Sequence, residues 1–514
     1  MSSTPRPAAA DRALEWALLA NFLVHGLALL AMALLLLPAL PGGTAHSDLE
    51  RVAYIAAHPW RFRLGWLPWQ LCAVSDLLLA VAMVRVRWLP RGPALVVLVL
   101  TMVAVVPDQF AQALWITRGV ALAATDPAAY FALERTIFPW TAAWGALFYT
   151  LAALGWTWCF ARAGTWSRAL SLLSVPLWAT MLVAVGGPLL PASHRPSPAF
   201  VSAANGLGFL QLQLWLGLVT EAVLRRARPF EPFGRLARWR HPGSGLFPRL
   251  VDVLANSRLF GALLEPLPEV EMRSDITDVV YVNYLVDADV AATWVPKNLE
   301  LQRLGPGGKH ALFTFLTFRH GHFGFALLGP LRRWLPSPVQ TNWRIHVRDP
   351  RTGHEGIYFL TNAITSVVPA LGARMLTEGM PMHVLERGEM ARSPDGEVTV
   401  TLDPGSGSAP DAELRVRPMP APELTGAWRE CWEDFRAFLA YCVPQDRAMS
   451  SQPLRDRISR QEIHLGIPPE ACEPMAGSVV SRAARALAGE GEPLCFRVPN
   501  VTFVFAVEAH DRAS

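Results

Sequence analysis

Residues 207–240 read LGFLQLQLWLGLVTEAVLRRARPFEPFGRLARWR, and the change inside them divides the chain. An apolar run ends at Leu224. Arg225, Arg226, Arg228, Arg235, Arg238 and Arg240 follow, against the single acid Glu231. With Pro229, Pro232, Pro242 and Gly243, this stretch reads as a juxtamembrane linker able to lie on anionic lipid headgroups. Upstream of it the sequence is a series of long apolar segments. Downstream it alternates in short runs, as strands do. The expected architecture therefore has three parts: a six-helix α transmembrane bundle over 1–224, a basic linker with an amphipathic helix over 225–271, and a soluble, mainly antiparallel β (α+β) domain over 272–514.

On the upstream side, a helix needs roughly 20 apolar residues to cross a bilayer, because its backbone must satisfy itself in lipid. Six segments qualify, at about 13–40, 64–84, 93–116, 139–161, 167–190 and 200–224. The first runs from Ala13 to Leu40, longer than the ~7–15-residue core of a cleavable signal, and is expected to stay as a span. Arginine sets the orientation. Arg85, Arg87 and Arg91 follow the second span and Arg162 and Arg168 the fourth, with no acid beside them. The cluster after the sixth span joins them on one side. The opposite loops carry mixed charge. The expectation is a multi-pass protein of the bacterial inner (plasma) membrane, with both termini and the soluble domain cytoplasmic. His58-Pro59, then Arg63, Gly65 and Trp66 at the entry to the second span, resemble small multi-pass bacterial membrane proteins of unknown function.

Polar groups inside spans are costly and mark candidate sites. Here they are His25, Asp76, Asp108 and Gln109, with Gln211 and Gln213 in the sixth span. Pro107 directly before Asp108 predicts a kink that opens this acid to water. These residues read either as a polar path between helices or as local buried pairs.

Composition bounds the rest. Of 514 residues, 52% are hydrophobic and 17% charged, more apolar than an ordinary soluble protein. The net charge is +4, and the arginines are spread through the chain, so no nucleic-acid surface is expected. Cys72, Cys159, Cys431, Cys442, Cys472 and Cys495 form no CxxC pair, which argues against a zinc site and a disulfide framework.

On the downstream side, residues 246–264 read as one amphipathic helix, lying in the membrane interface or packed on the soluble domain. Strands are expected at Asp278–Val286, His310–Phe318, Asn342–Val347, Gly356–Leu360, Glu397–Leu402, Glu413–Val416 and Thr502–Val507. Helices are expected at Ala363–Leu376, Trp428–Tyr441 and Gly477–Ala488.

Five pieces of this half carry a resemblance. Val286-Asp-Ala-Asp-Val leads to Val295-Pro-Lys-Asn-Leu-Glu-Leu301. Ala311–Phe318, Thr341–Val347 and Glu355-Gly-Ile-Tyr-Phe359 follow, and Ala373-Arg374 closes the next helix. Together they resemble the uncharacterised bacterial branch of the acetoacetate decarboxylase-like superfamily. The resemblance implies a barrel-like β fold with an internal cavity. It does not carry over the decarboxylase chemistry, which needs a buried Schiff-base lysine. The only lysines are Lys297, beside Pro296, and Lys309, in a glycine-rich turn.

What remains is polar. Asn342, Arg344 and His346 alternate along one strand and so share a face. Arg344 can clamp a carboxylate through two parallel hydrogen bonds. Glu355, Tyr358 and Arg374, on the next elements, complete the candidate set. The set reads as a ligand site or as a buried network that fixes register. His320 and His322 read as a pair on one strand face, with no acid or cysteine to complete a metal site. No cofactor is expected. The leading function is a membrane-anchored cytoplasmic barrel that binds or converts a small carboxylated or carbonyl metabolite. The alternatives are a transporter or sensor working through the helical bundle, and a non-catalytic membrane scaffold. Partners are the lipid bilayer and a small molecule. The sequence does not set the oligomeric state.

Overall fold

The computed structural model describes residues 9–227, 238–267, 272–376, 380–443, 447–452, 454, 457–464 and 467–512. The chain divides into two compact units after Ala227.

The first unit is helical. Among its described residues are six helices long and apolar enough to cross a membrane: Ala9–Ala39, Pro59–Arg85, Arg91–Thr125, Pro127–Arg162, Arg168–Gly186 and Ala203–Arg226. Leu14, Leu79, Val97, Trp156, Leu177 and Trp215 pack into one core between them. The third and fourth helices depart from expectation. The stretch between about 117 and 138, expected as a loop of mixed charge, is helical except at Asp126. Asp126 instead caps the fourth helix, accepting a hydrogen bond from the Ala129 amide at 3.0 Å. The fifth helix stops at Gly186, before Pro188.

The second unit is a mainly antiparallel sheet. Its strands are β1 Met272–Asp287, β2 Glu300–Leu301, β3 His310–Arg319, β4 Gly324–Phe325, β5 Val339–Arg348, β6 Glu355–Ile364, β7 Met382–Val384, β8 Arg387–Arg392, β9 Val398–Asp403, β10 Ala412–Pro418, β11 Arg447–Ser451, β12 Arg457–His464, β13 Glu473–Val480 and β14 Leu494–Arg512. The order is β4-β1-β3-β5-β6-β11-β12-β14-β13-β10-β9-β8, and β1 also pairs with β14. Among the described pairings only β6–β11 and β6–β7 are parallel. Strand alternation gives the sheet two differently lined faces. Val280, Val282, Phe313, Phe315, Trp343 and Ile345 line one apolar core. Tyr281, Leu312 and Leu316 point the other way, against Phe438, Leu439 and Cys442.

Several boundaries move for local reasons. β6 runs on to Ile364, so the following helix is confined to Val367–Met375. The expected helix at Trp428–Tyr441 is two, Gly426–Cys431 and Phe435–Cys442, because Asp434 starts the second by accepting from the Ala437 amide at 2.7 Å. Gly477–Val480 is strand, not helix, and the helix is Arg482–Ala488, capped by Ser481. Gly477 sits so close to β10 that a Cβ there would lie 1.9 Å from the Arg415 carbonyl oxygen. The glycine thus permits strand pairing where it looked like helix punctuation. Residues 246–264 are also two helices, Leu246–Ala255 and Arg258–Leu264, broken at Asn256 and Ser257. Val251 and Ala255 pack with Trp239, Ile357 and Phe359, so this segment is part of the second unit.

A candidate anion-binding face on the sheet

β5 is the pivot. It lies between β3 and β6 and is buried from Val339 to Val347. Its odd positions are apolar except for Thr341, and Trp343 stacks on Phe315 with ring centroids 4.5 Å apart. Its even positions, Gln340, Asn342, Arg344 and His346, share the opposite face.

The first two of these are satisfied. Gln340 Nε2 donates to Asn342 Oδ1 at 2.7 Å. His320 bridges Ser274 Oγ and Gln340 Oε1, each at 2.8 Å. Burial holds the His320 imidazole down at about 4, so it serves as a neutral relay in this chain.

Arg344 differs. It is buried, its guanidinium lies 5.3 Å from the Tyr281 ring centroid, and its Nε and Nη2 atoms have no hydrogen-bond partner. Those two N–H groups form one edge of the guanidinium fork, the edge that grips a carboxylate through two parallel bonds. His346 lies two residues on, stacked over Tyr441 with centroids 4.9 Å apart. Burial, and then Arg344, push its imidazole down to about 3. Neither ring nitrogen closes a hydrogen bond of good geometry, although the Leu312 and Cys442 backbones pull the imidazole weakly the other way. Cys442 reaches the same place from the helix Phe435–Cys442. Its thiol donates to Asn283 Oδ1 at 3.3 Å, and Thr314 Oγ1 donates to the same oxygen at 2.8 Å. Burial raises the thiol to about 11, against the pull of Arg344.

Register extends the face. Asn362 on β6 pairs with Asn342, and its side-chain amide has no partner at either end. His346 pairs with Ile357, Ile357 with Ala448, and Ala448 with Gln461 on β12. The Gln461 amide is likewise without partners. Buried polar atoms are normally paired, so these unpaired donors and acceptors make the face a candidate site.

Of the other candidates, Tyr358 and Arg374 lie away from Arg344. Tyr358 pairs with Ile345, which turns it to the opposite face, where its hydroxyl donates to Ser451 Oγ at 2.8 Å. Glu355 shares the Arg344 face, across from Arg348, but is exposed at the start of β6. Arg374 is buried under the linker helices. Its Nε donates to the Ala255 carbonyl at 2.7 Å and its guanidinium stacks 5.9 Å from Trp239. His320 and His322 do not share a strand face: β3 ends at Arg319, and His322 takes a positive φ of 55° in the turn beyond. No group of three or more His, Cys, Asp or Glu among the described residues is arranged to hold a metal. Lys297 and Lys309 are both exposed. Tyr281, Asn283, Thr314, Asn362, Tyr441, Cys442 and Gln461 were missed. Only strand register and helix placement put them on the Arg344 face, with Gln461 three strands away from β5.

In the helical unit, the acids form two networks. Asn21 Nδ2 donates to Ser75 Oγ at 3.1 Å and Asp76 Oδ1 at 2.6 Å, and His25 Nε2 stands 3.8 Å from Asp76. Asp108 accepts from Gln112 at 3.0 Å, Gln109 at 3.2 Å, Tyr149 at 3.5 Å and from Thr141. Pro107 does not open it to water: the helix continues through it and Asp108 is buried.

Residues 273–439 match the model of the family DUF2071, described as an uncharacterized conserved protein. No curated protein matches the chain. Among solved structures, the chain is similar to the acetoacetate decarboxylase of Legionella pneumophila subsp. pneumophila str. Philadelphia 1, at 13% identity over 47% of this chain and 89% of that one, with a TM-score of 0.33. It is similar to an acetoacetate decarboxylase-like enzyme from Sphingomonas wittichii RW1, at 9% identity over 48% and 94% with a TM-score of 0.34. It is also similar to the enduracididine biosynthesis enzyme MppR complexed with pyruvate, at 16% identity over 48% and 92% with a TM-score of 0.31. Acetoacetate decarboxylase-like proteins are thus among the structures that the chain is similar to, in line with the resemblance carried by the strands of the C-terminal half.

Proposed function

We propose that the sheet unit binds or converts a small carboxylated or carbonyl-bearing metabolite on the polar face of β5, with Arg344 as the anion anchor and no Schiff-base lysine. The observation that carries this is the open Nε–Nη2 edge of a buried guanidinium. Leaving such a group buried and unmatched is costly, and a carboxylate matches it in charge and shape. His346 and Asn362 offer hydrogen bonds to the rest of the guest. The pairing of β1 with β14 links the two ends of the β3-to-β12 ladder, which supports a barrel-like enclosure for the site. The exposure of both lysines supports chemistry without an imine.

The helical unit anchors this domain in a bacterial inner membrane, with the sheet unit and both termini cytoplasmic. Leu30, Leu78, Val106, Leu172 and Val175 project outward from four of the six helices, as a lipid-facing surface requires. Arginines flank the same ends of the helices.

The test is calorimetric titration of the full chain in nanodiscs with pyruvate and acetoacetate as probes. Saturable binding lost in Arg344→Leu, with the melting temperature retained, supports the reading. Equal binding by Arg344→Leu overturns the anchor. A borohydride-trapped mass adduct on Lys297 or Lys309 overturns the exclusion of the imine.

A second reading rests on the buried Asp76 and Asp108 networks, which would make the bundle a transport or sensing element. It expects Asp76→Asn or Asp108→Asn to alter a solute flux in vesicles. Wild-type flux in both removes it.

A further inference from the structure

The helix Leu246–Ala255 is apolar on two sides. Val251 and Ala255 face the sheet core. Leu246, Leu250 and Val253, at i, i+4 and i+7, form a second stripe that is exposed, with Leu246 at 76% and Val253 at 64%. Phe247 is exposed beside it. A helix that merely covers a sheet has a polar outer face, so this stripe needs its own partner.

A second exposed apolar element borders the same core. Phe323 and Val367 pack against the cluster that holds Val251 and Ala255. From Phe323 the chain runs into the short helical segment Ala326–Trp334, where Leu327 is 94% exposed and Trp334 is 74% exposed. Val368 is also open to solvent at the start of the helix Val367–Met375. Exposed cations accompany these side chains: Arg249 on the first helix, and Arg333, which stacks on Trp334 at 5.8 Å. The only acid in 246–255 or 323–334 is Asp252, which accepts from the His241 amide at 2.6 Å.

Apolar side chains and a tryptophan flanked by arginines are the chemistry of a surface that enters the headgroup layer of a bilayer. The covalent arrangement favours that partner. Positions 228–245 alone separate the sixth candidate span from this helix, a tether of at most about 60 Å. We propose that the surface formed by Leu246–Ala255 and Ala326–Trp334 docks the sheet unit flat onto an anionic bilayer. This is a second membrane attachment, independent of the Arg344 site and resting only on the helices being spans.

The test uses the full chain with Cys431→Ser, the other five cysteines being buried. Spin labels are placed at Leu250→Cys, Leu327→Cys and, as control, Asp395→Cys in the exposed β8–β9 turn. Accessibility to oxygen and to a water-soluble nickel chelate is then measured in phosphatidylcholine/phosphatidylglycerol vesicles. The expected result is a several-fold higher oxygen-to-nickel ratio at 250 and 327 than at 395, reduced in pure phosphatidylcholine. Ratios at 250 and 327 equal to that at 395 overturn the docking. Spin–spin broadening without the gain in oxygen access identifies a second copy of the chain as the partner and overturns the bilayer assignment.

Discussion

Asp108 in the helical unit and Arg344 in the sheet unit are both buried charged side chains on central elements, and they are dressed differently. Asp108 is enclosed by donors from Gln109, Gln112, Thr141 and Tyr149. Arg344 has aromatic and thiol neighbours but no acceptor for its Nε and Nη2 groups. A carboxylate with four donors is a finished structural joint. A guanidinium with an open edge is half of one. The contrast points to the sheet unit as the place where a ligand completes the structure, and to Asp108 as a post that holds helices together.

Mutation separates the two most strongly. Asp108→Ala leaves four donors facing a void and should lower stability by about 3 kcal/mol, read as a fall in the melting temperature of the detergent-solubilised chain. Arg344→Leu removes an unmatched charge and should leave the melting temperature unchanged or raised. It should also weaken carboxylate binding by roughly 100-fold, as loss of a buried charge-assisted pair does. If Arg344→Leu unfolds the chain while Asp108→Ala does not, the two roles are reversed.

The half of the site on one strand was legible, because alternation is a local property. Asn342, Arg344 and His346 sit two residues apart, and any strand there must put them on one face. Tyr358 shows where legibility stops. Its side is set by pairing with Ile345, across a bulge between Trp343 and Arg344, and one residue of slip reverses it. β11 and β12 were not foreseen, because RAMSS and RISRQEIH are polar strands buried only by their neighbours. The six long helices, in contrast, were legible as apolar runs, since each needs only its own apolar length, although the third runs on to Thr125 and the fourth starts at Pro127, through residues read as a loop.

A pH profile sharpens the contrast from the sheet side. His320 is held at about 4 and His346 at about 3, chiefly by burial, against an ordinary value of 6.5. Both folded values are depressed. The unfolded chain therefore takes up protons below its own 6.5 that the folded chain refuses, so the stability is present above that pH and lost as pH falls toward 4. Each histidine should cost roughly 2 kcal/mol by pH 5. The unfolding midpoint of the wild type should fall from pH 7 to pH 5 more steeply than that of His346→Phe. Equal slopes would mean that His346 is not held neutral.

Arg374 probes a different joint, between the linker helices and the sheet. Burial and the nearby Arg258 lower its guanidinium to about 9, and its Nε bond to the Ala255 carbonyl fastens the helix Leu246–Ala255. Arg374→Met should cost about 1–2 kcal/mol and speed amide exchange in residues 239–264, with no change in carboxylate affinity. A loss of affinity with unchanged exchange would move Arg374 into the binding site.

The smallest effects come from Tyr358, which register turns to the opposite face, and Glu355, at the exposed end of the Arg344 face. Tyr358 faces the apolar core, and its hydroxyl donates to Ser451 Oγ at 2.8 Å. Tyr358→Phe keeps the ring packed and leaves the serine hydroxyl to turn elsewhere, so it should cost about 1 kcal/mol in unfolding titrations. Glu355 is open to water, and Glu355→Gln should stay within about 0.5 kcal/mol of wild type. Tyr358→Phe should leave carboxylate binding unchanged, because its side chain is turned away from the face that carries Arg344, and Glu355→Gln should change it only slightly, because Glu355 shares that face but sits at its water-exposed end. A tenfold loss of affinity in Tyr358→Phe would mean that the guest reaches through the sheet's apolar side, and the open edge of Arg344 would then need another explanation.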